Sequence, residues 1–83
     1  MRMAIYFFDF RSGDVVSIDK DGVDLPHVDA AHREALGALA DAISDVASLA
    51  DQQDQRFAVD VRDEIGLVLQ VTAVLGSKIL RKR

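Results

Sequence analysis

The sequence of 83 residues contains no cysteine, no tryptophan and only one proline. Without cysteine the chain has no disulfide framework, no thiolate zinc site, no iron–sulfur ligation and no thiol nucleophile. No hydrophobic run approaches the ~20 residues that span a bilayer. The apolar N-terminal stretch meets an acid at Asp9, too early for a secretory signal. We therefore expect a cytoplasmic protein with no membrane partner.

The short length limits what the chain can build. A chain of this size buries only about 60–65% of its unfolded surface, which is enough for one modest core but not for a deep active site beside it. We expect a single α+β domain over residues 1–75, followed by a basic C-terminal tail over residues 76–83.

Charge is distributed unevenly along the chain. The formal net charge is -4. The tail carries a charge of +4, from Lys78, Arg81, Lys82 and Arg83, so the rest of the chain carries -8. An acidic body repels nucleic-acid phosphate, whereas the tail could make about three or four phosphate contacts. Charged termini are commonly solvated, so we take nucleic-acid binding by the tail as an alternative function only.

Alternating apolar residues predict four strands. Residues 4–11 place Tyr6, Phe8 and Phe10 on one face, and a turn at 12–14 leads to a second strand over 15–19. After a long helical segment, residues 56–63 and 67–74 alternate again. A turn ending at Gly66 joins them into a second hairpin.

The segment between the two hairpins predicts one long helix. Apolar residues recur at three- and four-residue spacing over residues 28–51, which is typical of an amphipathic helix. Its start follows Pro26, because the residue before a proline avoids helical angles. His27 or Asp29 caps the N-terminus, and aspartate is the better capping residue of the two.

These elements predict a two-layer α+β domain with the order ββαββ. One face of a four-stranded antiparallel sheet packs on the long helix. A right-handed crossover from strand 2 to strand 3 permits the strand orders 2-1-3-4 and 2-1-4-3.

Residues with catalytic or metal-binding chemistry do not converge in the sequence. His27 and His32 are five residues apart, whereas a helical metal pair needs four. The calcium-loop pattern fails around Gly22, because Ser17 and Val28 stand where ligating carboxylates are needed. No serine lies in a Gly-x-Ser-x-Gly elbow. We expect no enzyme activity, no catalytic or metal-binding residue and no cofactor.

Four apolar residues are predicted on the sheet face opposite the helix. They are Ile5, Phe7, Val15 and Val68. A contiguous apolar patch marks an interface, and a small core gains stability from further burial. Two alternatives stay open: scattered exposed residues, which are normal, or an inverted first strand. We expect a homo-oligomer, most simply a dimer, with an unidentified protein partner as the other option.

The order of short motifs resembles a family of short bacterial proteins of unknown function. These motifs are the aromatic run with Ser-Gly-Asp at 6–14, Asp-Gly-Val-Asp-Leu-Pro at 21–26, the Ala-rich helix start at 30–36, Val-Arg-Asp at 61–63, Gly66 and the apolar strand at 67–69. The similarity spans residues 4–74, and it departs from the family pattern at His27 and His32. The resemblance implies this fold and a small cytoplasmic protein, but no activity, cofactor or catalytic residue.

Together these observations predict a non-catalytic interaction or regulatory module that acts as a homo-oligomer. The alternative is a nucleic-acid-binding protein that uses paired basic tails.

Overall fold

A computed structural model describes residues 3–47, 55–76, 78, 80 and 81. Its elements are β1 (Ala4–Ser12), β2 (Val15–Ser17), β3 (Val23–Leu25), α1 (Val28–Ala47), β4 (Gln55–Arg62) and β5 (Leu67–Leu75). The expected α+β class, with one helix and an antiparallel sheet, is confirmed. The predicted last turn of the helix, residues 48–51, lies outside the described residues.

The sheet has five strands instead of the predicted four. Its order is β2-β1-β4-β5, which corresponds to the first of the two predicted orders, and β3 adds to β1 beside β2. β2 pairs with Phe10–Ser12 and β3 pairs with Ala4–Tyr6, both antiparallel. The extra strand β3 ends at Leu25, and the proline that follows favours an extended conformation for this residue. One edge of the sheet therefore consists of two short strands in succession.

Helix α1 begins at Val28, as predicted. His27 is its capping residue, because its Nδ1 accepts a hydrogen bond from the backbone N–H of Ala30 at 3.1 Å. Ala31 and Ala35 are fully buried and contribute little bulk, so the helix approaches β4 and β5 closely. Asp29 lies in the first turn, where a carboxylate is favourable to the helix dipole.

The core lies between α1 and one face of the sheet. Its buried members are Tyr6, Ala31, Ala35, Leu39, Phe57, Val59, Val61 and Val71. The predicted alternation of β4 is confirmed, since every second residue from Phe57 is buried.

Two predicted face assignments are corrected by the strand registers. A register shift next to Val61 places Leu69 opposite Val61 but Leu67 opposite Arg62. Val68 is the extra residue of this bulge, and it packs against the core instead of lying on the open face. Val15 lies directly opposite Ser12, so it belongs to the helix side of the sheet, because the two-residue turn fixes the register.

Candidate functional site

The sheet face opposite the helix carries a band of polar side chains across its middle. Asp9 and Arg11 come from β1, Asp60 and Arg62 from β4, and Gln70 from β5. These residues interrupt the apolar patch that the sequence predicted for this face. The open face is therefore held together mainly by ion pairs and hydrogen bonds.

Asp9 and Arg62 form the most buried ion pair of the described residues. The Arg62 Nε donates to Asp9 Oδ2 at 2.7 Å, and Nη2 donates to Oδ1 at 3.3 Å. Asp9 is only 9% exposed. The hydrogen bonds from Arg62 hold the pKa of the Asp9 carboxyl below its ordinary value, and the same contact raises the pKa of Arg62. The guanidinium also covers the ring of Phe7, with Cζ 4.5 Å from the ring centre.

Asp19 joins this pair to the loop between β2 and β3. Its backbone N–H donates to Asp9 Oδ1 at 3.0 Å, and its carbonyl oxygen accepts from Arg62 Nη2 at 2.8 Å. Its carboxylate accepts from the backbone N–H of Phe8, and also from those of Asp21 and Gly22, each at 3.1 Å. These hydrogen bonds, first the one from Phe8, lower the pKa of Asp19.

The loop therefore replaces strand pairing with side-chain hydrogen bonding at this edge. Phe8 lies between the part of β1 that pairs with β2 and the part that pairs with β3. Its backbone N–H therefore donates to the Asp19 carboxylate instead of to a strand. An edge that is broken in this way and carries charges is a poor template for another strand. Lys20 and Asp21 add exposed charge at the same place.

The opposite edge of the sheet has none of these features. β5 is nine residues long, with the sequence LVLQVTAVL, and it contains no charged residue, no proline and no glycine. In the described part of the chain no strand pairs with its outer side. Leu67 and Val74 are exposed by 67% and 62%. A long, uncharged edge of this kind offers free main-chain N–H and C=O groups to another strand.

The predicted interface residues do not form one patch. Ile5 is 39% exposed on the open face, beside the half-buried Phe7. Val15 is exposed at the far end of the sheet on the helix side, and Val68 packs on the core. The sequence offered a signal for the Asp9–Arg62 pair only in the charged residues that interrupt otherwise apolar strands.

The tail residues predicted to contact nucleic acid are only partly described. Lys78 and Arg81 are exposed, whereas Lys82 and Arg83 lie outside the described residues. Within the described ranges no group of three His, Asp or Glu side chains could hold a metal ion. No helix in that part of the chain is both long and apolar enough to cross a membrane.

Comparison with known proteins gives one match. A family model described as "Domain of unknown function (DUF6894)" matches residues 5–74. No curated protein and no solved structure matches the chain.

We predict that Gly22→Ala destabilises the protein much more than Gly13→Ala. Both glycines have positive φ, +75° and +60°, so a side chain costs about 1–2 kcal/mol at either position. Only at Gly22 would the new Cβ also collide, at 2.6 Å from Ile5 Cγ2 and 2.9 Å from Phe7 Cε2. Urea unfolding of both variants measures the difference. Equal losses would show that the loop does not pack tightly on β1.

We further predict that Asp9→Asn makes the protein less stable at pH 7 and less sensitive to acid. Asp9 and Asp19 have lowered pKa values in the folded protein, against an ordinary value of 3.8. Their stabilisation is therefore complete above about pH 4 and is lost as the pH falls through the lowered values. The asparagine removes one of these titrations and leaves Arg62 without its carboxylate.

The measurement is the free energy of unfolding in urea between about pH 2 and pH 7. Asp14→Asn, in the exposed turn between β1 and β2, is the matched control and should keep the wild-type pH profile. An Asp9→Asn profile parallel to that of the wild type would contradict the role of the ion pair.

Proposed function

The chain belongs to the DUF6894 family, and we propose that it is a non-catalytic interaction module that forms a homodimer. In this proposal the outer edge of β5 pairs with β5 of a second copy, in antiparallel orientation. The observation that carries the proposal is the contrast between the two sheet edges: one is broken and charged, the other is nine residues long and uncharged. We keep the cytoplasm as its expected location.

Antiparallel pairing of two identical β5 strands is self-complementary. A two-fold axis perpendicular to the sheet relates the copies, so residues on one face meet residues on the same face. Both helices then lie on the same side of one continuous sheet. The regular part of β5 after the bulge, residues 69–75, brings no charged residues opposite each other. A domain with a small core gains from this additional burial.

The charges at the two ends of β5 favour the same arrangement. The turn before β5 contains Glu64 and the almost fully exposed Ile65. The segment after β5 contains Lys78, Arg81 and the exposed Leu80. Antiparallel pairing brings the acidic turn of one copy next to the basic segment of the other, and it does so twice by symmetry.

The open sheet face supports dimer formation less well than the β5 edge. Its central side chains already satisfy one another: Asp9 binds Arg62, and Asp60 binds Arg11. Covering charged groups that are already paired costs desolvation free energy and adds no new partners. The apolar residues of this face, among them Ile5, Phe7, Val16 and Val74, alternate with these charges and offset only part of that cost.

Nucleic-acid binding by paired tails gains no support from this arrangement. The C-terminal ends of two antiparallel β5 strands lie at opposite sides of the interface. At ~3.3 Å per residue, the points where the two tails begin are therefore about 20–30 Å apart. In this proposal Lys78 and Arg81 of each copy lie next to the acidic turn of the other copy, which weakens their attraction for phosphate.

We expect Thr72→Lys to convert the dimer into a monomer. Thr72 is exposed, so the monomer tolerates the change, but two lysines come close to each other near the two-fold axis. The measurement is sedimentation equilibrium over a concentration series, and the dissociation constant of the dimer should rise by at least about tenfold. Ser17→Lys adds the same charge to the exposed strand β2 at the other edge and should leave the dimer intact. A wild-type protein that is monomeric at about 1 mM would contradict the proposal.

A charge-reversal pair tests the antiparallel direction. Glu64→Lys and Arg81→Glu should each weaken the dimer, because each places like charges across the interface, and the double variant should recover most of the loss. The readout is the dissociation constant at low salt. If the double variant is as weak as the sum of the single variants, the turn and the tail of different copies do not meet.

A further inference from the structure

The open face of the sheet contains a groove. It lies near the C-terminal end of β5, has a volume of about 350 Å³, and is lined by Arg11, Gly13, Arg56, Ala58, Thr72 and Val74, among others. We propose that this groove binds the phosphate group of a small organic molecule. The inference does not depend on the homodimer, because both arginines lie on the inner strands β1 and β4, and Thr72 and Val74 project from the face of β5, whereas the homodimer would use the outer main chain of β5.

The strand registers explain why a groove forms here. Arg11, Ala58 and Thr72 lie opposite one another in one row across β1, β4 and β5. Side chains of directly paired residues share a face, so the small Ala58 leaves a depression between the longer Arg11 and the hydroxyl of Thr72. Arg56 and Val74 form the next row and close the depression on one side.

The two arginines that line the groove are not fully satisfied by the described residues. Asp60 holds the guanidinium of Arg11 with its Oδ2 3.0 Å from Nη2. The Nε of Arg11 is buried and has no partner among the described residues. Arg56 is exposed and forms no ion pair within the same part of the chain. One positive charge therefore remains uncompensated, together with a buried donor that lacks an acceptor.

These donors suit a phosphate better than a carboxylate. Two guanidinium groups and one hydroxyl reach the groove from three different strands, and a phosphate group offers three acceptor oxygens where a carboxylate offers two. The volume is at the lower end of the range for ligand pockets. Val74 and Ala58 provide an apolar wall for the organic part of the ligand.

The test is a titration of the full chain with phenyl phosphate, followed by amide NMR shifts. Saturable shifts should concentrate at Gly13, Ala58 and Thr72. Arg56→Gln should weaken binding by at least about tenfold. Arg33→Gln, which removes an exposed arginine from the helix on the other side of the sheet, should leave the affinity unchanged.

Three parallel titrations define what would overturn the proposal. Benzoate should bind more weakly than phenyl phosphate, and equal binding would assign a carboxylate site instead. Inorganic phosphate should also bind more weakly, and equal binding would indicate an adventitious ion only. If phenyl phosphate gives no saturable shift, or if Arg33→Gln and Arg56→Gln weaken binding equally, the groove is not a phosphate site.

Discussion

The ion pair between Asp9 and Arg62 is the interaction on which the arrangement of the sheet depends. It connects the two central strands, β1 and β4, and it binds the backbone of the loop between β2 and β3 through Asp19. Asp9 is buried and Arg62 is partly exposed, and a buried carboxylate is costly unless its hydrogen-bonding capacity is satisfied. Here backbone N–H and C=O groups complete the network, so the charges and the loop stabilise each other.

This network determines the difference between the two sheet edges. The Asp19 carboxylate accepts the hydrogen bond from the backbone N–H of Phe8, so no residue of a neighbouring strand accepts it. The edge is therefore divided into two short strands, β2 and β3. No equivalent side chain interrupts β5, whose main chain remains available in the described residues. Proteins commonly protect exposed edges with charges, bulges or very short strands. β5 has only the bulge at Val68, which leaves seven regular residues for pairing.

Sequence periodicity predicted the elements that are long and regular. The alternation in β1, β4 and β5 and the helical spacing in α1 arise locally, so they can be read without knowledge of contacts. The missed features depend on register or on distant partners. Val15 lies on the other face from the one predicted, because the turn before it fixes the strand pairing. Val68 also differs from its predicted face, because of a bulge that no local sequence pattern reveals. The Asp9–Arg62 pair joins residues 53 positions apart, and so only the three-dimensional pairing of β1 with β4 identifies it.

Amide hydrogen exchange along β5, measured at low and at high protein concentration, tests the central claim most directly. In an isolated edge strand, protection alternates, because only every second N–H points toward β4. If β5 pairs with a second copy, residues 69–75 become protected without alternation as the concentration rises, while β2 and β3 do not change. An alternating pattern in β5 that is the same at all concentrations would contradict the claim that this edge is the interaction surface.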